Sequence, residues 1–194
     1  NHDNAWKNFF NLTCQQTNGE NLLDENGVPT FNQDATVKAF KFLADLVQEY
    51  KISPPTVAEW TPDDQMNAFI NGQVKAILLD AENISVVNAG GMEGKYTLAN
   101  LPYILPGETT GYNYTSHVAG SNVAVFSQTE ELDAALSYLE FITRKDNNLY
   151  ICEQFGVFSP VVGAYDGVDV DVNTAKVIDI MENYSYPMPV LWKN

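Results

Sequence analysis

Histidine and cysteine, which supply most transition-metal ligands in proteins, are scarce in this chain of 194 residues. His2 and His117 are its only histidines, so a multi-histidine metal site cannot be built from this sequence. Residues 169–173 resemble the start of a calcium-binding EF-hand loop. The glycine expected at the sixth position of that loop is absent, and Ile180 stands at the twelfth position instead of Glu. We therefore expect neither a metal site nor a cofactor.

Basic residues are also few. Lysine and arginine together number 10 against 25 acidic residues, which gives a formal net charge of -15. The acidic residues are evenly spread, with 13 in residues 1–100 and 12 in residues 101–194. Such a protein repels the phosphate backbone of nucleic acids, so nucleic acid is excluded as a partner. No apolar run approaches the roughly 20 residues that a membrane-spanning helix needs.

Sequence signatures of catalysis are lacking as well. The chain contains no Gly-x-Ser-x-Gly motif, no phosphate-binding loop and no dinucleotide-binding fingerprint. A carboxylate pair for glycoside hydrolysis stays open, because 25 acidic residues guarantee some close pairs, but nothing singles one pair out. We therefore predict a protein that is not an enzyme and has no catalytic residues.

The segment from Gly27 to Asp80 carries the clearest pattern of alternating elements. A long helix is predicted first, capped by Asn32, because apolar residues recur at spacings of three and four: Val37, Phe40, Leu43, Val47 and Tyr50. We expect this apolar stripe to face a core.

A second helix is predicted after Thr61, whose hydroxyl can cap it, with Pro62 at its first position. Gly72 stands where a left-handed residue ends such a helix. The short apolar segment from Val74 to Leu79 then predicts a strand that is covered on both faces.

Three motifs follow one another along the chain. The first joins DENGVPTFN (24–32) through the long helix to AFINGQVKAILLD (68–80). The second is SNVAVFSQTEELDAALSYLEFITRKDNN (121–148), and the third is FGVFSP (155–160) followed by a helix and PMPVLW (187–192). In their order and spacing these motifs resemble the extracellular solute-binding proteins of ABC sugar importers, the maltose-binding-protein-like family 1.

The resemblance implies an α/β fold, namely a periplasmic-binding-protein-like type II lobe with three layers and a mixed sheet. Residues 1–103 would form the α/β core of the second lobe, residues 104–158 would cross to the first lobe, and residues 159–194 would return. We expect the chain to be a fragment that is missing part of the first lobe. Ligand binding by this chain alone should then be weak, and exposed apolar surface in residues 104–158 should drive self-association.

The resemblance also implies a function. Such a protein binds a carbohydrate, an oligosaccharide more readily than a monosaccharide, and delivers it to the membrane subunits of an ABC importer. Its location would be periplasmic, or extracellular with a lipid anchor outside this fragment that holds it at the cell surface. Two alternatives stay open, a carbohydrate-active enzyme domain and a sugar sensor without a transport role.

Candidate ligand-binding residues are ring-bearing or polar side chains that the resemblance places in loops or cleft-facing segments. Sugars present apolar C–H faces and hydroxyl rims, so stacking rings and polar side chains bind them together. The ring-bearing candidates are Trp6, Trp60, Tyr112, Tyr114, His117 and Trp192. Packing in a partly buried position is the alternative role for each.

Three polar candidates, Asp80, Glu82 and Asn83, follow the predicted strand. In the family a short helix begins there and lines the sugar cleft. The family's tryptophan is replaced at this point, so we expect hydroxyl binding by acceptor side chains and helix amides instead of stacking. The alternative is that Asp80 only caps the helix.

Cys14 and Cys152 are not expected to form a disulfide, although two cysteines in an extracellular protein ordinarily suggest one. A disulfide needs Cα atoms within about 7 Å of each other. The resemblance places the two cysteines on different lobes, where such proximity is rare. Tyr150, Ile151 and Phe155 surround Cys152 in sequence, so we expect a buried thiol there.

Overall fold

The structure, a computed structural model, describes residues 5–16, 24, 26, 28–30, 32–101, 116–120 and 122–187. The chain divides into two compact units. The first comprises Asn1–Leu78, Tyr96–Ala119 and Val172–Asn194, and the second comprises Leu79–Lys95 and Gly120–Asp171. The assignment of residues 1–103, 104–158 and 159–194 to lobes stays a prediction.

Helices dominate the described residues. The α-helices are α1 (Ala5–Gln16), α2 (Asp34–Gln48), α3 (Pro62–Ile70), α4 (Ile84–Val87), α5 (Leu132–Thr143), α6 (Lys145–Phe155) and α7 (Val172–Asn183). Two short 3-10 helices lie at Pro55–Glu59 and Ala81–Asn83, and a π-helical turn lies at Asn88–Met92. None of the described helices has both the length and the apolar character needed to cross a membrane.

The core of the first unit lies where α1 packs against α2. Phe10 and Leu12 of α1 are almost fully buried, and so is Ala39 of α2. The rings of Phe9 and Phe40 meet edge to face with centroids 6.1 Å apart, a favourable arrangement for an aromatic pair. Helix–helix packing thus supplies the apolar contacts that hold this unit together.

The predicted orientation of α2 is wrong. Three members of the expected inward stripe are largely exposed, Val37 at 53%, Phe40 at 67% and Tyr50 at 54%. Thr36 and Ala39 are the buried residues of α2 instead, at 3% and 0% exposure. Phe40 keeps its contact with Phe9 of α1 in spite of its exposure. The predicted cap is also wrong, since the N-cap residue is Gln33, without a side-chain capping bond.

The described residues contain one two-stranded parallel sheet, β1 (Ser116–Val118) paired with β2 (Ser185–Pro187). Helix α7 packs against both strands and buries Val177. The mixed sheet of three layers is therefore not confirmed. The strand expected from Val74 to Leu79 is absent, because no described segment pairs with it and Leu78 is 39% exposed.

The second unit has a small core in which Val87, Cys152 and Ala164 are buried. Helix α5 packs against α6 but buries none of its residues. Leu132 and Leu136, for example, are half exposed. Apolar side chains are thus exposed in the described part of residues 104–158, whereas the self-association expected from them stays a prediction.

Candidate functional site

A cavity of about 390 Å³ opens in the first unit, beside α3. The described residues that line it come from one continuous segment of the chain, residues 56–73. Its lining combines one aromatic ring with carboxylate, amide and hydroxyl groups: Thr56, Glu59, Trp60, Asp64, Asn67, Ala68, Asn71 and Gln73. The concave shape and mixed lining make it the candidate ligand site among the described residues.

The first wall of the cavity is the 3-10 helix Pro55–Glu59 and the residue after it. Pro55 fits the first position of this helix because its fixed φ is already helical and it has no amide to leave unpaired. Trp60 then turns to an extended conformation, with φ -71° and ψ 137°, while its amide donates to the Val57 carbonyl at 3.3 Å. Trp60 is half-buried and is one of the residues that line the cavity.

The start of α3 is fixed by a reciprocal capping box, and the predicted cap by the Thr61 hydroxyl is confirmed as part of it. The Asp64 amide donates to the Thr61 hydroxyl at 3.2 Å, and the Thr61 amide donates to the Asp64 carboxylate at 2.9 Å. The Thr61 hydroxyl also donates to Asp64 Oδ2 at 2.7 Å. These bonds satisfy amides that a helix start leaves unpaired, and they hold the Asp64 carboxylate beside the cavity.

One face of α3 forms the second wall. Asp64, Asn67 and Asn71 follow one another at spacings of three and four, which places them on the same side of a helix. Ala68 borders this stripe, lines the same cavity and is only 4% exposed.

The end of α3 positions the last two polar side chains. Gly72 has a φ of 69°, and its amide donates to the Phe69 carbonyl at 2.9 Å. The Gln73 amide donates to the Ala68 carbonyl at 2.8 Å, which completes a Schellman motif. The predicted role of Gly72 is confirmed. The sharp turn that it makes brings Gln73 back to the cavity next to Asn71.

Contacts on the opposite side of α3 anchor it to the rest of the first unit. Met66 is 5% exposed, and the rings of Phe69 and Tyr96 meet edge to face with centroids 5.9 Å apart. The Gln65 side-chain amide donates to the Leu78 carbonyl. The polar wall is thus carried by a helix that is fixed at its start, its end and its buried face.

The chemistry of this lining suits a polyhydroxylated ligand. Three primary amides, from Asn67, Asn71 and Gln73, can each donate and accept hydrogen bonds, while the two carboxylates only accept. The Thr61 amide and hydroxyl hold the pKa of the Asp64 carboxyl below its usual value, because both donate to its charged form. The Trp60 ring offers an apolar face in the same cavity.

Of the predicted ligand-binding residues, Trp60 is the one that the structure places in this cavity. His117 lies on β1 in the same unit, half-buried, where its Nδ1 is 2.6 Å from Asn11 Oδ1. Its ring meets Phe10 edge to face with centroids 6.2 Å apart. These contacts give His117 a packing role against α1, and a role in ligand binding stays a prediction.

Asp80, Glu82 and Asn83 belong to the second unit, at the 3-10 helix Ala81–Asn83. Asp80 occupies the N-cap position, but its side chain makes no capping hydrogen bond. Glu82 is exposed and Asn83 is half-buried. Their proposed contacts with a ligand stay a prediction.

The remaining aromatic predictions cannot be placed in a site. Trp6 lies in α1, and nothing is described of its side chain, while Tyr112, Tyr114 and Trp192 lie outside the described residues. The sequence reasoning missed most of the lining: Thr56, Glu59, Asp64, Asn67, Asn71 and Gln73. Three of them, Asp64, Asn67 and Asn71, could have been identified from the sequence, because they recur at helical spacing on the side of α3 opposite Met66.

The described lining of this cavity contains neither a cysteine nor a group of metal-binding side chains. Within the described part of the chain, no group of three or more His, Cys, Asp or Glu side chains is arranged to hold a metal ion. Cys152 is a free, buried thiol in the second unit, and burial raises its pKa.

Comparison with known proteins decides the family. The sequence model of the bacterial extracellular solute-binding proteins matches residues 2–177, which is most of the chain. The chain belongs to this family. A search of solved structures found no match.

Membership in the solute-binding proteins carries general consequences. Such a protein binds a ligand in the periplasm or outside the cell and passes it to an importer. The family suggests a periplasmic-binding-protein-like fold and is typically non-enzymatic. The family's description names no ligand.

Proposed function

We propose that this solute-binding protein binds a carbohydrate, an oligosaccharide more readily than a monosaccharide, and delivers it to the membrane subunits of an ABC importer. The observation that carries the proposal is the cavity in which the Trp60 ring lies among three amides and two carboxylates. Sugar recognition needs this combination, because a pyranose ring has an apolar face and a rim of hydroxyl groups.

The size of the cavity agrees with this ligand class. Small-molecule sites typically enclose about 300–1,000 Å³, and the volume here is about 390 Å³. The cavity is also open to solvent, since most of its lining residues are exposed, so a longer chain can extend outward. An oligosaccharide fits such a site better than a free monosaccharide.

The delivery step rests on the family. In a two-lobed binding protein the ligand favours the closed state because it contacts both lobes there, and the importer recognises that state. Three further details belong to this proposal. The fold is a type II lobe with a mixed sheet, the chain passes between the lobes at residues 103 and 158, and a lipid anchor holds the protein at the cell surface.

An enzymatic alternative arises from one observation, the presence of both Glu59 and Asp64 in the cavity lining. Glycoside hydrolysis uses two carboxyl groups, one of which acts as a general acid with a raised pKa. Bonds from Thr61 instead lower the pKa of Asp64, so it cannot serve as that acid near neutral pH. Release of shorter products from an incubated oligosaccharide would favour the enzyme over the binding protein.

Calorimetry of the full-length protein against a panel of mono- and oligosaccharides tests the proposal. We expect saturable binding of at least one oligosaccharide, and a loss of about 2 kcal/mol, or roughly 30-fold in Kd, in Trp60→Ala. Tyr50→Ala is the matched control, since Tyr50 is an exposed aromatic residue of the same unit outside the cavity. Equal affinities for the Trp60 and Tyr50 variants would contradict the assigned site.

A further inference from the structure

The charged residues in the described lining of the cavity are all acidic. Glu59 and Asp64 contribute carboxylates, and the described lining residues include no lysine, arginine or histidine. The lysines nearest in sequence, Lys51 and Lys75, are exposed and are not part of the lining. Among the lining residues that the structure describes, a ligand therefore meets negative charge and neutral amides and finds no cation to pair with an anionic group.

Both acidic residues line the same cavity as Trp60. Glu59 is the last residue of the 3-10 helix and directly precedes Trp60. Asp64 is in the first turn of α3, and its Oδ2 accepts from both the amide and the hydroxyl of Thr61. These bonds fix the position of the carboxylate and favour its charged form, as the lowered pKa of Asp64 indicates.

We propose that this cavity selects its carbohydrate by charge, taking a sugar that carries a protonated amine in preference to the neutral sugar of the same skeleton and disfavouring the corresponding uronic acid. The inference rests on the proposed carbohydrate function of the same site and narrows it to amino sugars.

Two physical effects act in the same direction. A cation close to the face of a tryptophan is attracted by the negative potential of the ring, and Trp60 is the ring that lines the cavity. The carboxylates of Glu59 and Asp64 add direct attraction, and the net charge of -15 favours the approach of cationic ligands over anionic ones. Since Glu59 and Asp64 are exposed, each charge pair should change Kd by about threefold.

The test compares tetrasaccharides of glucose, glucosamine, N-acetylglucosamine and glucuronic acid that share one linkage, by calorimetry with the full-length protein at low salt. We expect the glucosamine tetramer to bind several-fold more tightly than the glucose tetramer, and the glucuronic acid tetramer to bind most weakly. The N-acetylated tetramer, which lacks the charge, should lose the advantage. The preference should shrink as salt rises, because salt screens exposed charges.

Glu59→Gln removes one charge from the cavity and retains the shape of the side chain. We expect it to reduce the preference for glucosamine over glucose, taken as the ratio of the two Kd values in the same variant, by about threefold. Glu49→Gln is the matched control, because Glu49 is an exposed glutamate of the same unit that does not line the cavity. It changes the net charge equally and should leave the preference intact.

The outcomes separate the two proposals. Binding of the glucose and glucosamine tetramers with equal affinity would overturn the charge selection and leave the carbohydrate function standing. An equal loss of preference in Glu49→Gln and Glu59→Gln would assign the effect to the overall field of the protein and overturn the role of the cavity. Absence of binding to every tetramer in the panel would overturn both.

Discussion

Replacing Thr61 with Ala should destabilise the first unit and loosen the candidate site. The threonine hydroxyl accepts from the Asp64 amide at 3.2 Å and donates to the Asp64 carboxylate at 2.7 Å, and alanine removes both bonds. The Thr61 amide can still donate to the carboxylate, so part of the capping box remains. Loss of an N-cap hydroxyl typically costs about 1 kcal/mol of folding stability.

The effect of this change should depend on pH. Because the folded pKa of Asp64 lies below its usual value, its contribution to stability is present above about pH 4, the pKa in the unfolded chain. That contribution is lost as pH falls through the folded pKa. In Thr61→Ala the pKa of Asp64 should rise toward its usual value, since one of the groups that favours the carboxylate is gone. The destabilisation should therefore be largest near neutral pH and smaller in acid.

Urea unfolding followed by tryptophan fluorescence measures this loss. Trp60 directly precedes Thr61, so a background with Trp6→Phe and Trp192→Phe confines the signal to the candidate site. NMR titration of the Asp64 carboxyl gives its pKa in each variant. Thr61→Ser, which keeps a hydroxyl, should retain most of the stability. The reasoning would be refuted by an unchanged unfolding midpoint in Thr61→Ala, or by an Asp64 pKa that is the same in both variants.

Two further outcomes follow from the structure. Gly72→Ala should lower the free energy of unfolding by about 1 kcal/mol from left-handed strain alone, because φ is 69° and a Cβ would meet nothing within 4 Å. Gly120→Ala is the control and should cost nothing, since φ is not positive there and the space is equally open. Equal urea midpoints for the two variants would contradict this reasoning. Thiol titration of denatured, unreduced protein should find two free thiols per chain, from Cys14 and Cys152, whereas none would demonstrate a disulfide.

Helix α3 could be predicted almost residue by residue, because local interactions determine it. The hydroxyl of Thr61, the fixed φ of Pro62, the carboxylate of Asp64 and the conformational freedom of Gly72 act within a few residues of one another. No distant part of the chain is needed for any of them. The start and end of α3 therefore agree with the sequence pattern.

The orientation of the other helices depends on partners far along the chain. In α2 the apolar residues are numerous enough to form more than one stripe, and the residues that become buried are Thr36 and Ala39. Val37 stays exposed, and Phe40 is largely exposed although its ring contacts Phe9 of α1. Periodicity predicts that a helix exists, whereas which face is buried depends on packing that the spacing does not contain.

The segment from Val74 to Leu79 shows the same limit for strands. Its composition favours a buried strand, but a strand also requires a partner with matching hydrogen bonds, and the described residues provide none. Trp60 was identified as a candidate because sugars stack on aromatic rings. The amides beside it were missed, because Asn67, Asn71 and Gln73 are unremarkable until the structure brings them into one cavity.

The most direct test of the account is the emission of Trp60 in full-length protein in which every other tryptophan, Trp6 and Trp192 among them, is replaced by Phe, titrated with the oligosaccharide that calorimetry shows to bind. The account predicts a saturable change in the intensity and wavelength of Trp60 emission, with the same Kd as calorimetry, because the ligand stacks on the indole and displaces water from it. Saturable binding by calorimetry without any change in Trp60 emission would contradict the assignment of this cavity as the ligand site.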